Sequence, residues 1–436
     1  MAEADNDRAG AHGSEGAMSE LLAARGLLPR HRFVVFHREH LPDLIAGNQQ
    51  LVLDDLPGVP PLAFRVPDST TFTYAFADGS VEIAEGDRDA ATLVELAEPV
   101  FSDFVNEIHT AAGLLYADKL SFVRGDLAGL QRWEPALRAL FCGRPIWSAE
   151  SAADLVEPDG SALDLGRSFT LDDGDEPIRA FLEVAGFVHV RGVFDTTEIE
   201  DLGEEVDRVR RALKPGEGDA WWSTTHAGDS VVTRINYLDR WSQRILATGH
   251  DDRVQRLGRL VDQELRVCDD RLDGPMAFIK NSDVAQGLGD LNWHQDDGLG
   301  GHPIMCPLMQ VGIQLDHANP ANGQLHVLAG SHRYSNHPMS WGEEEGQPVV
   351  SLVTEPGDVT IHFGDIFHTT PPPTASDAGR RVLYFKFAPP RVFDVIAAGA
   401  HYNDLLFKKN AVGKVAVDAE TWAEDDSQDS FQHNNF

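Results

Sequence analysis

A histidine and an aspartate two residues apart, in "LNWHQDDGLG" (291–300), are the first residues here whose types and spacing suit chemistry. If "LNWHQD" is a strand, His294 and Asp296 point to the same face, because side chains alternate with period two. One imidazole nitrogen and one carboxylate oxygen then aim at a common point, as two ligands of a metal ion would. The same triplet also reads as a solvated polar loop. Asp297 falls on the other face and is not expected to bind metal. A third ligand decides between the readings, and "PGDVTIHFGDIFHTTPPP" offers both His362 and His368.

The elements that would bring these residues together are short and extended. From about 168 the chain reads "AFIKNSD", "NWHQD", "MQVGIQLDH", "GQLHVLA", "DVTIHF" and "RRVLYFKFA". Turn chemistry separates most of them, in "NPANG", "EPGD" and "TPPPTASDAG". Many short strands between Pro/Gly turns predict an antiparallel barrel or jelly roll. In a closed barrel, residues distant in sequence face each other across the lumen. Two histidines and one carboxylate on one face of a metal leave positions open, which is the facial-triad arrangement of non-haem Fe(II) oxygenases. Before the strands, "PIRAFLEVAGFVHVRGVFDTTEIEDLGEEVDRVRRAL" reads as helix, short strand, helix, with Asp195 and Glu198 as a capping pair for the second helix.

Composition bounds the remaining classes. Acidic residues outnumber basic ones by 70 to 36, for a formal charge of −34 over 436 residues. Such a field repels nucleic acid and anionic membrane surfaces. Cys142, Cys268 and Cys306 are odd in number and widely spaced, so they predict neither a disulfide framework nor a zinc site; Cys268 and Cys306 read as small buried residues. The first residues lack a basic and then apolar leader, and no run approaches a membrane helix. The expectation is a soluble, cytoplasmic protein with a small-molecule substrate, no nucleic-acid partner and no membrane span. Its oligomeric state is not readable.

The strand-rich region resembles the phytanoyl-CoA dioxygenase (PhyH-like) family of Fe(II)/2-oxoglutarate oxygenases. Four blocks carry the resemblance in order: "AGFVHVRGVFDTTEIEDL", "NWHQD", "VGIQLDHANPANGQLHVLAGSHR" and "EPGDVTIHFGDIFHTTPPPTASDAGRRVLYFKFAP". It implies a double-stranded β-helix core with flanking helices, cupin-like, binding Fe(II) and 2-oxoglutarate, with O2 as co-substrate and succinate and CO2 as co-products. Residue by residue it implies His294, Asp296 and His368 as metal ligands and catalytic residues, with His362 a strand residue packed nearby. It implies an arginine at the start of the following strand as the grip on 2-oxoglutarate. Arg380 and Arg381 both qualify and point to opposite faces, so only one can serve; spacing to the end of the strand favours Arg380. Thr370, Gln295, Asn281 and Lys280 are further cofactor-pocket candidates. His332 in "GSHR" is expected to fix a turn, and His326 to be a strand histidine. Trp221 and Trp222 read equally as substrate lid or as packing. Related halogenases lack the carboxylate at the Asp296 position, so the resemblance implies hydroxylation, with desaturation or ring-forming oxidation open to the same triad. A degenerate oxygenase fold in a lipid-binding or sensory protein is the competing class, and the intact ligand set tells against it.

The domain plan is a polar tail at 1–18, an α+β domain at 19–150, a linker at 151–167, the oxygenase domain at 168–412 and an acidic tail at 413–436. The fold class is thus α+β to mainly β, a jelly-roll core preceded by a smaller α+β domain. In the latter, "DGSVEIAEGD", "AATLVEL" and "KLSFVRGDLAGLQRW" are similar to the sterol-carrier (SCP-2-like) fold, which implies a lipid site and an acyl or isoprenoid substrate. A natural product or amino-acid derivative is the alternative substrate.

Overall fold

The computed structural model describes residues 28–116, 118–214, 219–287, 289–296, 308–376, 378–396 and 398–399. Both tails, the "DGLGGHP" loop that starts at Asp297, and Cys306 lie outside the described residues. The chain divides into two compact units, with the main division at Arg144 and Pro145.

The first unit carries one five-stranded sheet, in the order β3-β2-β1-β4-β5. Its strands are β1 (Leu62–Arg65), β2 (Thr71–Ala77), β3 (Ser80–Glu85), β4 (Thr92–Leu96) and β5 (Leu120–Arg124). β1 and β4 run parallel. The Asp78-Gly79 turn joins β2 to β3 with both residues at positive φ, 50° and 78°, the geometry of a tight hairpin turn. Asp126 caps the helix Leu127–Cys142 by accepting from Gly129 N at 3.0 Å. Phe33, Phe36, Phe64, Phe101, Tyr74 and Trp133 form a buried aromatic core. The His37 ring stacks on Phe72 with centroids 4.1 Å apart.

The second unit is built on two sheets. The larger contains β6 (Phe187–Val190), β7 (Ala220–Thr225), β8 (Ser230–Ile235), β9 (Arg266–Val267), β10 (Met276–Asn281), β11 (Val284–Gln286), and three further strands. The smaller begins with β12 (Leu291–His294). After β13 (Met309–Gln314) in the large sheet come β14 (His326–Leu328) and β15 (Val349–Ser351) in the small one. Next are β16 (Val359–Phe363), large, β17 (His368–Thr370), small, and β18 (Gly379–Ala388), large. The large sheet runs β11-β7-β8-β10-β18-β13-β16-β6, with β9 on the end of β18, and the small one β12-β17-β14-β15. This jelly roll is the fold expected of an oxygenase core.

Alternation along the strands sorts the side chains into two layers. Val311 and Ile313 of β13, Val359 and Ile361 of β16, and Leu383 and Phe385 of β18 join the buried core with Ile178, Phe181, Ile199 and Val206 of the helices Asp175–Ala185 and Thr196–Ala212. The second helix starts on the expected cap: Glu198 N donates to Asp195 Oδ1 and Asp195 N to Glu198 Oε2, both at 2.9 Å. The alternate residues Gln310, His362, Arg380, Val382 and Tyr384 line a cavity instead. Gly312 lacks a side chain in this layer because Tyr384 lies over it; a Cβ there would stand 2.6 Å from the ring.

The expected linker at 151–167 needs correction. Leu155 and Leu163 are buried in the core of the second unit. The segment folds back on itself, with Glu157 N donating to Ser161 O at 2.8 Å and Leu163 N to Leu155 O at 2.9 Å. Its Ala, Ser, Asp and Gly content looks like a linker, but two leucines anchor it.

Candidate active site

The three candidate ligands converge from two neighbouring strands and the residues just beyond. β12 pairs antiparallel with β17, and His294 is the cross-strand partner of His368. The two rings lie 4.2 Å apart, centroid to centroid. His294 Nδ1 donates to Asn292 O at 2.6 Å and His368 Nδ1 to Ile366 O at 2.9 Å. A carbonyl can only accept, so both Nδ1 atoms carry the proton and both Nε2 lone pairs are left for a ligand. Asp296 follows the end of β12, fixed by its N–H to Gly364 O at 2.9 Å. Its Oδ1 is 3.8 Å from His294 Nε2, and its Oδ2 accepts from Gln310 Nε2 at 2.8 Å. One ligand atom from each of His294, Asp296 and His368 lies within 4.8 Å of the others.

Protonation suits the same role. Burial pushes His294, His362 and His368 down to about 4, so all three are neutral at neutral pH. Burial alone would raise the Asp296 carboxyl, but His368, His294, His362 and the Gln310 hydrogen bond outweigh it and hold the carboxyl down at about 2. Two neutral imidazoles and an ionised carboxylate form a donor set fitted to Fe(II). His362, on β16, lines the same cavity with its ring 4.9 Å from His368. Its Nδ1 is buried without a hydrogen-bond partner.

Arg380 lines the same cavity, 3% exposed. Its Nε and Nη2 donate to Gly323 O at 3.0 and 2.9 Å, and among the described residues it pairs with no carboxylate. Gly323 can receive it because its backbone is left-handed, φ 67°, in a place where a Cβ would stand 2.2 Å from Pro371 O. Thr370 Oγ1, on the same cavity, is buried without a partner. A buried guanidinium and an unsatisfied hydroxyl make a cradle for a carboxylate. Arg381 faces away, to Asp316 at 2.8 Å and Asp207 at 2.9 Å.

The stretch from 182 to 382, which holds all of these residues, matches the family described as phytanoyl-CoA dioxygenase (PhyH). It is a PhyH family domain. The chain is accordingly a non-haem Fe(II)/2-oxoglutarate-dependent oxygenase. A comparison with curated proteins gives no match. Among solved structures, AviO1 from Streptomyces viridochromogenes Tue57 is 22% identical, with 50% of this chain and 96% of that chain covered and a TM-score of 0.41. The epimerase SnoN in complex with Fe3+, alpha ketoglutarate and nogalamycin RO is 16% identical over 50% of this chain and 84% of that one, at TM-score 0.40. EctD from S. alaskensis with bound Fe is 17% identical over 50% and 77%, also at 0.40.

Three expected pocket residues of the PhyH domain are placed elsewhere. Gln295, between the ligands, turns away and donates through Nε2 to Asp365 O at 2.5 Å. Asn281 accepts from Asp283 N at 2.9 Å and serves the turn after β10. Lys280 is buried against Asp290 and donates to Thr370 O at 2.7 Å and Pro371 O at 2.9 Å. It braces the strand carrying Thr370 rather than lining the cavity, and burial lowers it to about 8. The two tryptophans divide: Trp221 lines the cavity, while Trp222 joins the core. His332 stacks on Phe363 at 4.8 Å and its Nε2 lies 3.2 Å from Glu183 O, a structural position. Burial pushes the Cys268 thiol up to about 12, so it is inert.

Gln310, Tyr384 and Arg234 line the cavity and were not singled out from the sequence. For the first two the signal was parity: "MQVGIQ" puts Gln310 on one face, and "RRVLYFKFA" puts Tyr384 on the face of Arg380. Arg234 stands out only as a charge inside the apolar "VVTRINY".

Proposed function

We propose that the chain hydroxylates a small organic substrate with a substantial apolar part, with His294, Asp296 and His368 holding Fe(II). Arg380 and Thr370 bind the far carboxylate of 2-oxoglutarate. One observation carries this reading: the three ligand atoms and an arginine without a carboxylate partner line the same cavity. When bound, the metal and its co-substrate supply the oxidising chemistry, with succinate and CO2 as co-products. The protein's own part is to hold and orient. The Asn292 and Ile366 carbonyls lock the imidazole tautomers, Gln310 aims the Asp296 carboxylate, and Lys280 fixes the strand bearing Thr370. Met276, Phe278, Leu291 and Val382 give the cavity an apolar wall, which supports an acyl or isoprenoid skeleton and keeps water from the reacting atoms.

The test is spectroscopic. Anaerobic protein given Fe(II) and 2-oxoglutarate should develop a weak visible charge-transfer band, and Asp296→Ala should lose both the band and 2-oxoglutarate-dependent succinate formation. A wild type with no band, or an Ala variant indistinguishable from it, would sink the assignment.

A further inference from the structure

We propose that His362 is a specificity residue whose imidazole donates a hydrogen bond to the substrate, so that the substrate carries a hydroxyl or carbonyl oxygen beside the carbon that is oxidised. This rests on the oxygenase reading above and adds a chemical group to the apolar skeleton proposed there.

The described residues lining the cavity include the imidazoles of His294, His362 and His368, and they are not held alike. His294 and His368 each place Nδ1–H on a backbone carbonyl. The Nδ1 of His362 is buried and has no hydrogen-bond partner. The ring itself is fixed, with His368 at 4.9 Å and Tyr384 edge-on at 6.2 Å, centroid to centroid. A buried polar side chain left unpaired costs stability, and an apolar residue at this inward position of β16 would avoid that cost. The fold therefore has no need of a histidine here, and a bound molecule is what remains to use it. Burial keeps the ring neutral, with one N–H and one lone pair. A proton on the enclosed Nδ1 would be an orphaned donor. A proton on Nε2 leaves only a lone pair unpaired behind the ring and turns the N–H toward the cavity.

Strand register assigns that donor to the substrate rather than to the co-substrate. Gln310 is the cross-strand partner of both His362 and Lys386, and its amide holds Asp296. His362 thus stands level with the ligand set. Lys386 is near the end of β18 and Arg380 at its start. In the small sheet, Thr370 lies past His368, beside Leu291. The carboxylate cradle of Arg380 and Thr370 is therefore at the other end of the cavity. A co-substrate held in it reaches the ligand set from the Arg380 end and leaves His362 to the second molecule. Met276, Phe278, Leu325 and Val382 make much of the remaining wall apolar. In such a wall, a bare hydrocarbon would leave the His362 N–H dry, whereas one acceptor oxygen satisfies it.

The experiment uses full-length protein loaded anaerobically with Fe(II) and 2-oxoglutarate, whose band reports separately on the oxygenase reading. Oxygen-bearing probes are titrated beside their hydrocarbons: acetophenone with ethylbenzene, cyclododecanone with cyclododecane, and geraniol with its deoxy analogue. Tryptophan fluorescence and perturbation of the band follow binding. The readout is the affinity ratio within each pair, compared between variants so that differences in hydration cancel. For at least one pair, His362→Leu should lower the ratio of oxygenated to hydrocarbon probe about tenfold or more, the scale of one donor left dry. His362→Gln, whose amide keeps an N–H near the Nε2 position, should hold the ratio close to wild type. The band and the affinity for 2-oxoglutarate should persist in both variants. The proposal is overturned if no oxygen-bearing probe binds, if the ratio is unchanged in the Leu variant for all pairs, or if the Gln variant loses it equally, which would make the effect one of packing. A tenfold loss of 2-oxoglutarate affinity in His362→Leu overturns it too, by assigning the histidine to the co-substrate. A wild type without the band fails at the oxygenase reading instead.

Discussion

Asp296 and its neighbour Gln310 show what a pattern of residues does and does not announce. The convergence of His294 and Asp296 was legible because ligand chemistry requires rare residue types at a fixed spacing. Gln310 was not, since one glutamine in an apolar strand has no signature beyond its parity. Yet its amide, 2.8 Å from Asp296 Oδ2, sets which carboxylate oxygen would remain for the proposed metal. Partners that orient a ligand typically account for about 10- to 100-fold in metal affinity. Gln310→Leu, which keeps the volume and removes the donor, should weaken Fe(II) binding by about that factor without unfolding the protein. Competition with a metal-sensitive dye under anaerobic conditions measures it, and an unchanged affinity would remove Gln310 from the site.

Strand parity is the element-scale fact with the most consequence. Arg380 and Arg381 are adjacent and chemically identical, yet one faces the cavity and the other the Thr196–Ala212 helix through Asp207. Arg380→Gln should therefore raise the KM for 2-oxoglutarate steeply, by roughly 100-fold or more, the scale of a charge-assisted pair in a dry site. Arg381→Gln should leave that KM unchanged and lower thermal stability instead. Parity made the choice of face readable, but not the partners waiting there. Gln295, Asn281 and Lys280 were plausible pocket residues from the resemblance and from strand position, and each is tied to a backbone group whose position only the folded chain defines. A second element-scale device is the turn before β16. Burial pushes the Asp358 carboxyl up, but His189 at 2.8 Å and the N–H groups of Glu355 and Gly192 outweigh it, so the carboxyl sits below its ordinary value of 3.8. A carboxyl depressed on folding stabilises fully above its unfolded pKa and loses that contribution as pH falls through the folded one. Asp358→Asn should thus cost about 1–3 kcal/mol at pH 7, and the gap to wild type should close as the pH is lowered below 4. Denaturant unfolding at pH 7 and pH 3 measures both values; a gap independent of pH would refute the ionic role.

At the scale of the whole molecule, the site works against the field of its own chain. The fold class of the second unit was legible because turn residues and alternating strands mark a jelly roll. Its boundary was misplaced because two leucines in a polar segment carry little pattern. The formal charge of −34 was legible from composition, and it bears on catalysis directly. A dianionic co-substrate approaching this chain is repelled at long range by the net charge and, on the proposed reading, attracted within reach of Arg380. The repulsion acts through water over the Debye length, about 30 Å at 0.01 M ionic strength and about 8 Å at 0.15 M. The attraction to a buried guanidinium acts at contact and is screened far less. Raising the ionic strength over that interval should therefore speed association and raise kcat/KM for 2-oxoglutarate, opposite to the usual loss of affinity when an anion meets a positive surface. Steady-state succinate formation at fixed pH, with sodium chloride as the only variable, measures the slope. A kcat/KM that falls with salt would mean that a local positive funnel, not the net charge of the chain, governs the approach.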